Sequence, residues 1–141
     1  MRMRLHLTAA LVAVLTVSCA TLPPPAVAPL LLADRLFFGR SVPAGGAVSP
    51  GATVSDEEWT AFVRDVVTPR FPEGLTIWRA EGQWRERTGD VTRESTMVVE
   101  IVHEPSPEAD AKLEEIAREY KTRFHQEAVM RVTSPAQMRF Y

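Results

Sequence analysis

The residues whose types and spacing could do chemistry lie late in the chain: Arg79, Gln83, Trp84, Arg85, Glu94, Glu100, Gln126 and Glu127. Gln83-Trp84-Arg85 sets an aromatic ring beside a planar guanidinium, directly after Gly82. Glu94 lies where the returning arm of a hairpin would bring it opposite, and Gln126-Glu127 leads into a further short apolar run. A carboxylate held near an arginine and a tryptophan can bind a polar ligand or act as a general base. The plainer reading of the same residues is a cross-strand ion pair with Trp84 packed over it, worth about 0.2–1 kcal/mol of sheet stability. Other chemistries lack their signatures. There is no cysteine pair, no H-E-x-x-H, no Gly-rich phosphate loop and no serine in an elbow motif, so neither a metal nor a cofactor is expected. His103 ends a strand and reads as a surface residue, and His125 as a cation near a helix C-terminus.

The start of the chain carries an address. Arg2 and Arg4 precede an apolar run at residues 7–17, closed by Ser18-Cys19. That run of eleven residues is far short of the ~20 needed to span a bilayer, so residues 1–18 read as a cleaved export signal. Cys19 is the chain's one cysteine. With Leu15-Thr16-Val17-Ser18 before it, the site resembles a bacterial lipobox, although Thr16 stands where leucine is usual. Cleavage after Ser18 would leave Cys19 carrying acyl chains of the palmitate class. Ala20 after the cysteine resembles the form passed on to the outer membrane. Ordinary cleavage after Ala20, giving a soluble periplasmic or secreted protein, stays open, because Ser18-Cys19-Ala20 also satisfies the small-x-small rule.

Loss of Arg2 and Arg4 with the leader takes the formal charge from −2 to −4, which gives no electrostatic reason to bind nucleic acid. With Cys19 lipidated, no thiol remains for a disulfide, and the fold must stand on its core. Residues 19–33 then form a Pro-rich, semi-rigid tether, in which Leu30-Leu31-Leu32 is oddly apolar. Residues 34–141 make one modest domain.

Within that domain, residues 34–41 read as a strand with Leu36 and Phe38 on one face and Phe37 on the other. Residues 42–54 read as a loop. Ser55 and Glu58 form a capping box, and Trp59, Phe62, Val63, Val66 and Val67 follow at helical spacing until Pro69. Arg70 is placed to cap the last carbonyls. Residues 75–86 read as a strand with a bulge at Gly82, paired through a hairpin with residues 92–103. Ser106-Pro107 starts a second helix to about Phe124 that buries Leu113, Ile116, Ala117, Tyr120 and Phe124. Residues 128–133 form the last strand. The order β-α-β-β-α-β predicts an α+β, ferredoxin-like split βαβ sandwich: an antiparallel sheet with two helices on one face and the other face open.

By LFFGRS, VSDEEW, VVTPRFPEGLT, GQWR and YKTRFHQEAVMRV, residues 36–132 resemble domain-of-unknown-function family 3574, a group of small bacterial exported proteins. The resemblance implies no activity, because the family has no established one. Ala128 stands where a serine is expected, and the loop at 42–54 is long.

The expectation is a lipid-anchored envelope domain, a non-enzymatic binding or structural module that uses its open sheet face, with a homodimer as one outcome. The alternative is a small cofactor-free enzyme of the dimeric α+β barrel type, with Arg79, Trp84 and Glu94 in a pocket on that face.

Overall fold

Alternation in two strands decides where the core lies. In β1 (Leu31–Gly39), Leu36 and Phe38 are buried on one face, and in β3 (Val91–His103) Met97, Val99 and Ile101 join them. The computed structural model describes residues 30–42, 52–85 and 89–141, and of Trp84 and Thr92 only the backbone. The remaining elements are α1 (Asp56–Phe62), running on as a π turn over Val63–Val67, then β2 (Thr76–Arg85), α2 (Pro107–Phe124) and β4 (Met130–Ala136). Strand order is β2-β3-β1-β4 with every neighbouring pair antiparallel. This is the ferredoxin-like split βαβ arrangement. Both helices lie on the face of Leu36 and Phe38, because their apolar stripes close over it. Trp59, Phe62, Val66 and Val67 come from α1 and its π turn, and Leu113, Ile116, Tyr120 and Phe124 from α2. At the centre, the Phe38 and Tyr120 rings lie 4.7 Å apart, and those of Phe62 and Tyr120 5.1 Å apart, edge to face.

The helix ends follow their sequence signals. Ser55 and Glu58 complete the capping box, and the Ser106 hydroxyl accepts the Ala109 N–H, with Pro107 in the first turn. Arg70 donates to the Val66 carbonyl at 2.7 Å, the capping role expected of it. Four features differ from expectation. Alpha-helical bonding gives way to a π turn, with Thr68 N–H reaching back five residues to Val63 O at 2.9 Å, so that Val66 and Val67 both turn inward before Pro69. β2 passes through Gly82 without a bulge, pairing it directly with Glu94. β1 opens at Leu31, inside the segment read as tether, because Leu32 and Ala33 find partners on both β3 and β4. In α2 it is Ala109, not Ala117, that is buried with the larger apolar residues. The leader, the tether up to residue 29, Ser18 and Cys19 lie outside the described residues. Among the described residues, no helix is long and apolar enough to cross a membrane.

One buried residue breaks the apolar pattern. Asp34 shares the helix-covered face with Leu36 yet is wholly inaccessible to solvent. Its carboxylate accepts two bonds from Arg131, at 2.7 and 2.8 Å, one from the Thr133 hydroxyl, and one from His103 Nε2 at 2.7 Å. Arg131 also reaches Asp110 on α2, at 2.7 Å. Burial alone would push the Asp34 carboxyl up, but the hydrogen bonds from Arg131, Thr133 and His103 outweigh it and bring it down to about 2. His103, read from sequence as a surface residue, is therefore part of an internal network, and its side chain is only 9% exposed.

Asp34→Asn should lower unfolding free energy by about 3 kcal/mol at neutral pH, because it strands Arg131 against a neutral group. The folded value, about 2, lies below the ordinary 3.8, so the contribution is complete above about pH 4 and disappears as pH falls through about 2. Urea titrations of wild type and variant across that range should converge at the acid end. A gap that stays constant would refute the charge argument.

Candidate functional site

Of the residues singled out in the sequence, Glu94 has the least ordinary surroundings. In β3 the even-numbered residues Glu94, Thr96, Val98 and Glu100 lie opposite Met97 and Val99, on the face the helices leave open. In register with them stand Gly82 on β2, paired with Glu94, and Gly39 on β1, paired with Thr96. A methyl group built on Gly39 would fall 2.7 and 2.8 Å from the two Glu94 carboxylate oxygens. The carboxylate is thus laid directly on bare backbone, and only glycine leaves room for it. On the other side, a methyl on Gly82 would meet the Thr96 hydroxyl at 3.0 Å and Glu94 Cγ at 3.9 Å. Two glycines, one on each neighbouring strand, shape a recess around one acid.

Burial pushes the Glu94 carboxyl above the usual carboxylate range, and the Ser41 N–H that donates to it pulls it partly back. No ion pair involves Glu94 among the described residues. The Ser41 carbonyl accepts the Gln126 side-chain amide at 2.8 Å, and the same amide lies 3.3 Å from Phe124 O. Gln126 is delivered there by the end of α2, where His125 turns the chain in the left-handed region at φ 54°. From the helix side, the Tyr120 hydroxyl donates to Gly39 O at 2.8 Å, and burial raises its pKa, keeping it a phenol. The chain at the end of β1, against which the Glu94 carboxylate rests, is therefore tied at Gly39 and at Ser41 to α2 and the turn that follows it.

The other candidates disperse. Arg79 follows Ile77 on the helix-covered face and pairs with Asp56 at 2.7 Å, which corrects the expectation that it shares a pocket with Glu94. The buried Arg40 reaches the same carboxylate at 2.8 Å, and the hydrogen bonds from Arg79 and Arg40 hold Asp56 below the usual range. Gln83 and Arg85 belong to the same odd-numbered series as Arg79. Gln83 is exposed opposite Arg93, and Arg85 donates to Gly89 O at 3.2 Å in the hairpin turn. Glu94 faces a glycine, so the expected ion pair across the hairpin does not form. Glu100 is on the open face but is paired with Arg35 at 2.6 Å. Glu127 is exposed beyond α2. Trp84 pairs through its backbone with Thr92. Among the described side chains of this set, only Glu94 and Gln126 come together, and they do so through Ser41. Sequence reasoning missed Gly39, Ser41 and Tyr120; the available signal was a glycine on each strand flanking a glutamate.

Further along the open face, Trp78, Val98, Phe37 and Met130 stand in register across all four strands. Trp78 and Met130 are exposed and Val98 is fully buried between its neighbours. Val132, also exposed, pairs with Arg35 in the next row. Among the described residues, no group of three His, Cys, Asp or Glu lies close enough together to hold a metal ion.

Comparison with known proteins places these features in context. A family profile described as "Protein of unknown function (DUF3574)" matches residues 33–140. No curated protein sequence matches the chain. Among solved structures, a phage SAM lyase in complex with S-methyl-5'-thioadenosine is similar with a TM-score of 0.57 at 18% identity, over 80% of this chain and 87% of that one. The same enzyme in its apo state gives 0.52 at 19% identity, over 82% and 87%. At such identities the likeness shows a shared fold.

Gly39→Ala tests the recess without touching its charge. The added methyl should push the mobile carboxylate of Glu94 outward, at a cost of no more than about 1 kcal/mol. Carboxyl-carbon NMR should then find the Glu94 titration shifted down toward that of an exposed glutamate. An unmoved titration would mean that the glycine does not shape the site.

Proposed function

The chain belongs to the DUF3574 family, and on that premise we propose that it is a cell-envelope binding module, exported and tethered through Cys19, which acts through its open sheet face and catalyses no reaction. The observation that carries this reading is the row Trp78–Val98–Phe37–Met130, apolar across the full width of the sheet and not covered by either helix. Contiguous apolar surface of this kind marks an interaction site. A second copy of the chain is the partner that suits it. In the adjacent row Arg35 and Glu100 neutralise each other, so two such faces can close without burying net charge. The Asp34 network, although rich in chemical groups, has its hydrogen bonds satisfied internally and serves the fold. Two or three acyl chains on Cys19, at about 0.8 kcal/mol per buried methylene, would hold the module on the membrane without a spanning helix. Ala20 after the cysteine supports the outer membrane as its destination.

Sedimentation of the chain from Ala20 onward, which retains every described element, should reveal a concentration-dependent dimer. Trp78→Ser combined with Met130→Ser should weaken it by roughly 100-fold, as expected when two apolar anchors are truncated. A chain that stays monomeric at every concentration would sink this reading.

A second reading is favoured by the raised carboxyl of Glu94 in its glycine-walled recess, in a fold similar to that of a phage SAM lyase seen with S-methyl-5'-thioadenosine. On this reading the chain is a small cofactor-free enzyme of the dimeric α+β barrel kind. Its open faces then enclose a nucleoside of related chemistry, and Glu94 supplies or removes a proton. Calorimetric titration with S-methyl-5'-thioadenosine decides between the two. The enzyme reading expects binding that falls at least about tenfold in Glu94→Gln, and absence of any binding leaves the first reading standing.

A further inference from the structure

The strand register brings the chain's entry into the sheet and its exit from it to one place. Leu31 pairs with Ala136, and Leu32 pairs with both Pro135 and His103, so residues 137–141 leave the sheet where residue 30 enters it. The sequence on the exit side is Gln-Met-Arg-Phe-Tyr, and Met138, Phe140 and Tyr141 are all exposed, Phe140 at 88%. On the entry side Leu30 is 62% exposed. Four large apolar side chains thus stand in water at one end of the fold.

That end is also the one reached by the segment read as a tether. Cys19 precedes Leu30 by eleven residues, which at about 3.1 Å each keeps this end within roughly 35 Å of an anchored lipid. We infer that Leu30, Met138, Phe140 and Tyr141 form a membrane-contact patch that seats this end of the sheet on the bilayer surface. Phenylalanine and tyrosine suit the interfacial zone, where apolar rings enter the acyl boundary and a phenol hydroxyl remains hydrated. Arg139 lies between them and can extend its charge to the headgroups while its stem stays with the apolar side chains. Glu104 and Glu108, in the connection into α2 and its first turn, follow directly on β3 at the same end and oppose attraction to anionic lipid. The contact is therefore apolar insertion, weak in a free molecule and strengthened once a lipid on Cys19 raises the local concentration. The inference rests on the tethered reading for its orientation, but the patch itself carries no lipid.

The test is flotation of the unlipidated chain from Ala20 onward with vesicles of phosphatidylethanolamine and phosphatidylglycerol. The wild-type chain should float, and raising the salt to molar levels should not release it. Phe140→Ser with Tyr141→Ser should reduce the floated fraction by about tenfold with the melting temperature unchanged, because both residues lie beyond β4. No flotation of the wild type, or equal flotation of the double variant, would overturn the inference. So would a double variant that floats normally but has lost a subunit contact, since that assigns the patch to a second copy. Incorporation of a palmitate analogue at Cys19 of the full chain reports the tether separately, so failure of the tether and failure of the patch are distinguishable.

Discussion

A carboxylate that is buried and must stay charged sets the frame of this domain. Asp34 lies on the strand that forms the centre of the sheet with β3, and its bonds run outward to both neighbours: His103 on β3, Arg131 and Thr133 on β4. Through Arg131 the same charge engages Asp110 on α2. Removing water from an ion costs several kcal/mol, so a conformation that fails to bring these donors together is penalised heavily. Apolar alternation places β1 in the core, but alternation tolerates slippage by two residues. The Asp34 set does not, because such a slip would leave Asp34 without its donors. Register specificity is the role best attested for buried polar groups, and it fits this geometry.

The opposite end of the sheet is held by different means. There Tyr120 joins the aromatic cluster to the Gly39 carbonyl, and Gln126 joins the end of α2 to Ser41. Glu94 rests on this doubly fastened backbone and not on a cation. Its raised titration follows from burial against that backbone, which the Ser41 N–H offsets only in part. The recess and the apolar row beside it share one face, which is why binding and catalytic readings converge on the same surface.

Much of the fold was legible because its signals are local. The capping box at Ser55 and Glu58, the Ser106-Pro107 start and the alternation in Met97, Val99 and Ile101 each depend on residues a few positions apart. The π turn at Val63–Val67 left no such mark, because valines at helical spacing look alike whichever carbonyl their N–H groups reach. The site was less legible. Arg79 and Glu94 were set together by their proximity along a hairpin, but strand parity sends them to opposite faces, and parity depends on whether Gly82 bulges. Asp34 and His103 lie 69 positions apart, and nothing near either one announces the other. Gly39 and Gly82 were visible as glycines, but their meaning emerged only when register put Glu94 between them.

The shared end of β1 and β4 has a mechanical consequence. Because the chain enters at Leu31 and leaves after Ala136 on adjacent antiparallel strands, a force drawing those two points apart loads the rungs one after another, as in opening a zip. Such peeling meets little resistance at Leu31–Ala136 or Leu32–Pro135. At the fourth rung it reaches Asp34 and Thr133, where side chains as well as backbone cross the seam. A pull between Leu31 and the Gly39 end of the same strand loads β1 lengthwise instead, straining its rungs to β3 and β4 together. The same strand is therefore compliant in one direction of pull and stiff in the other.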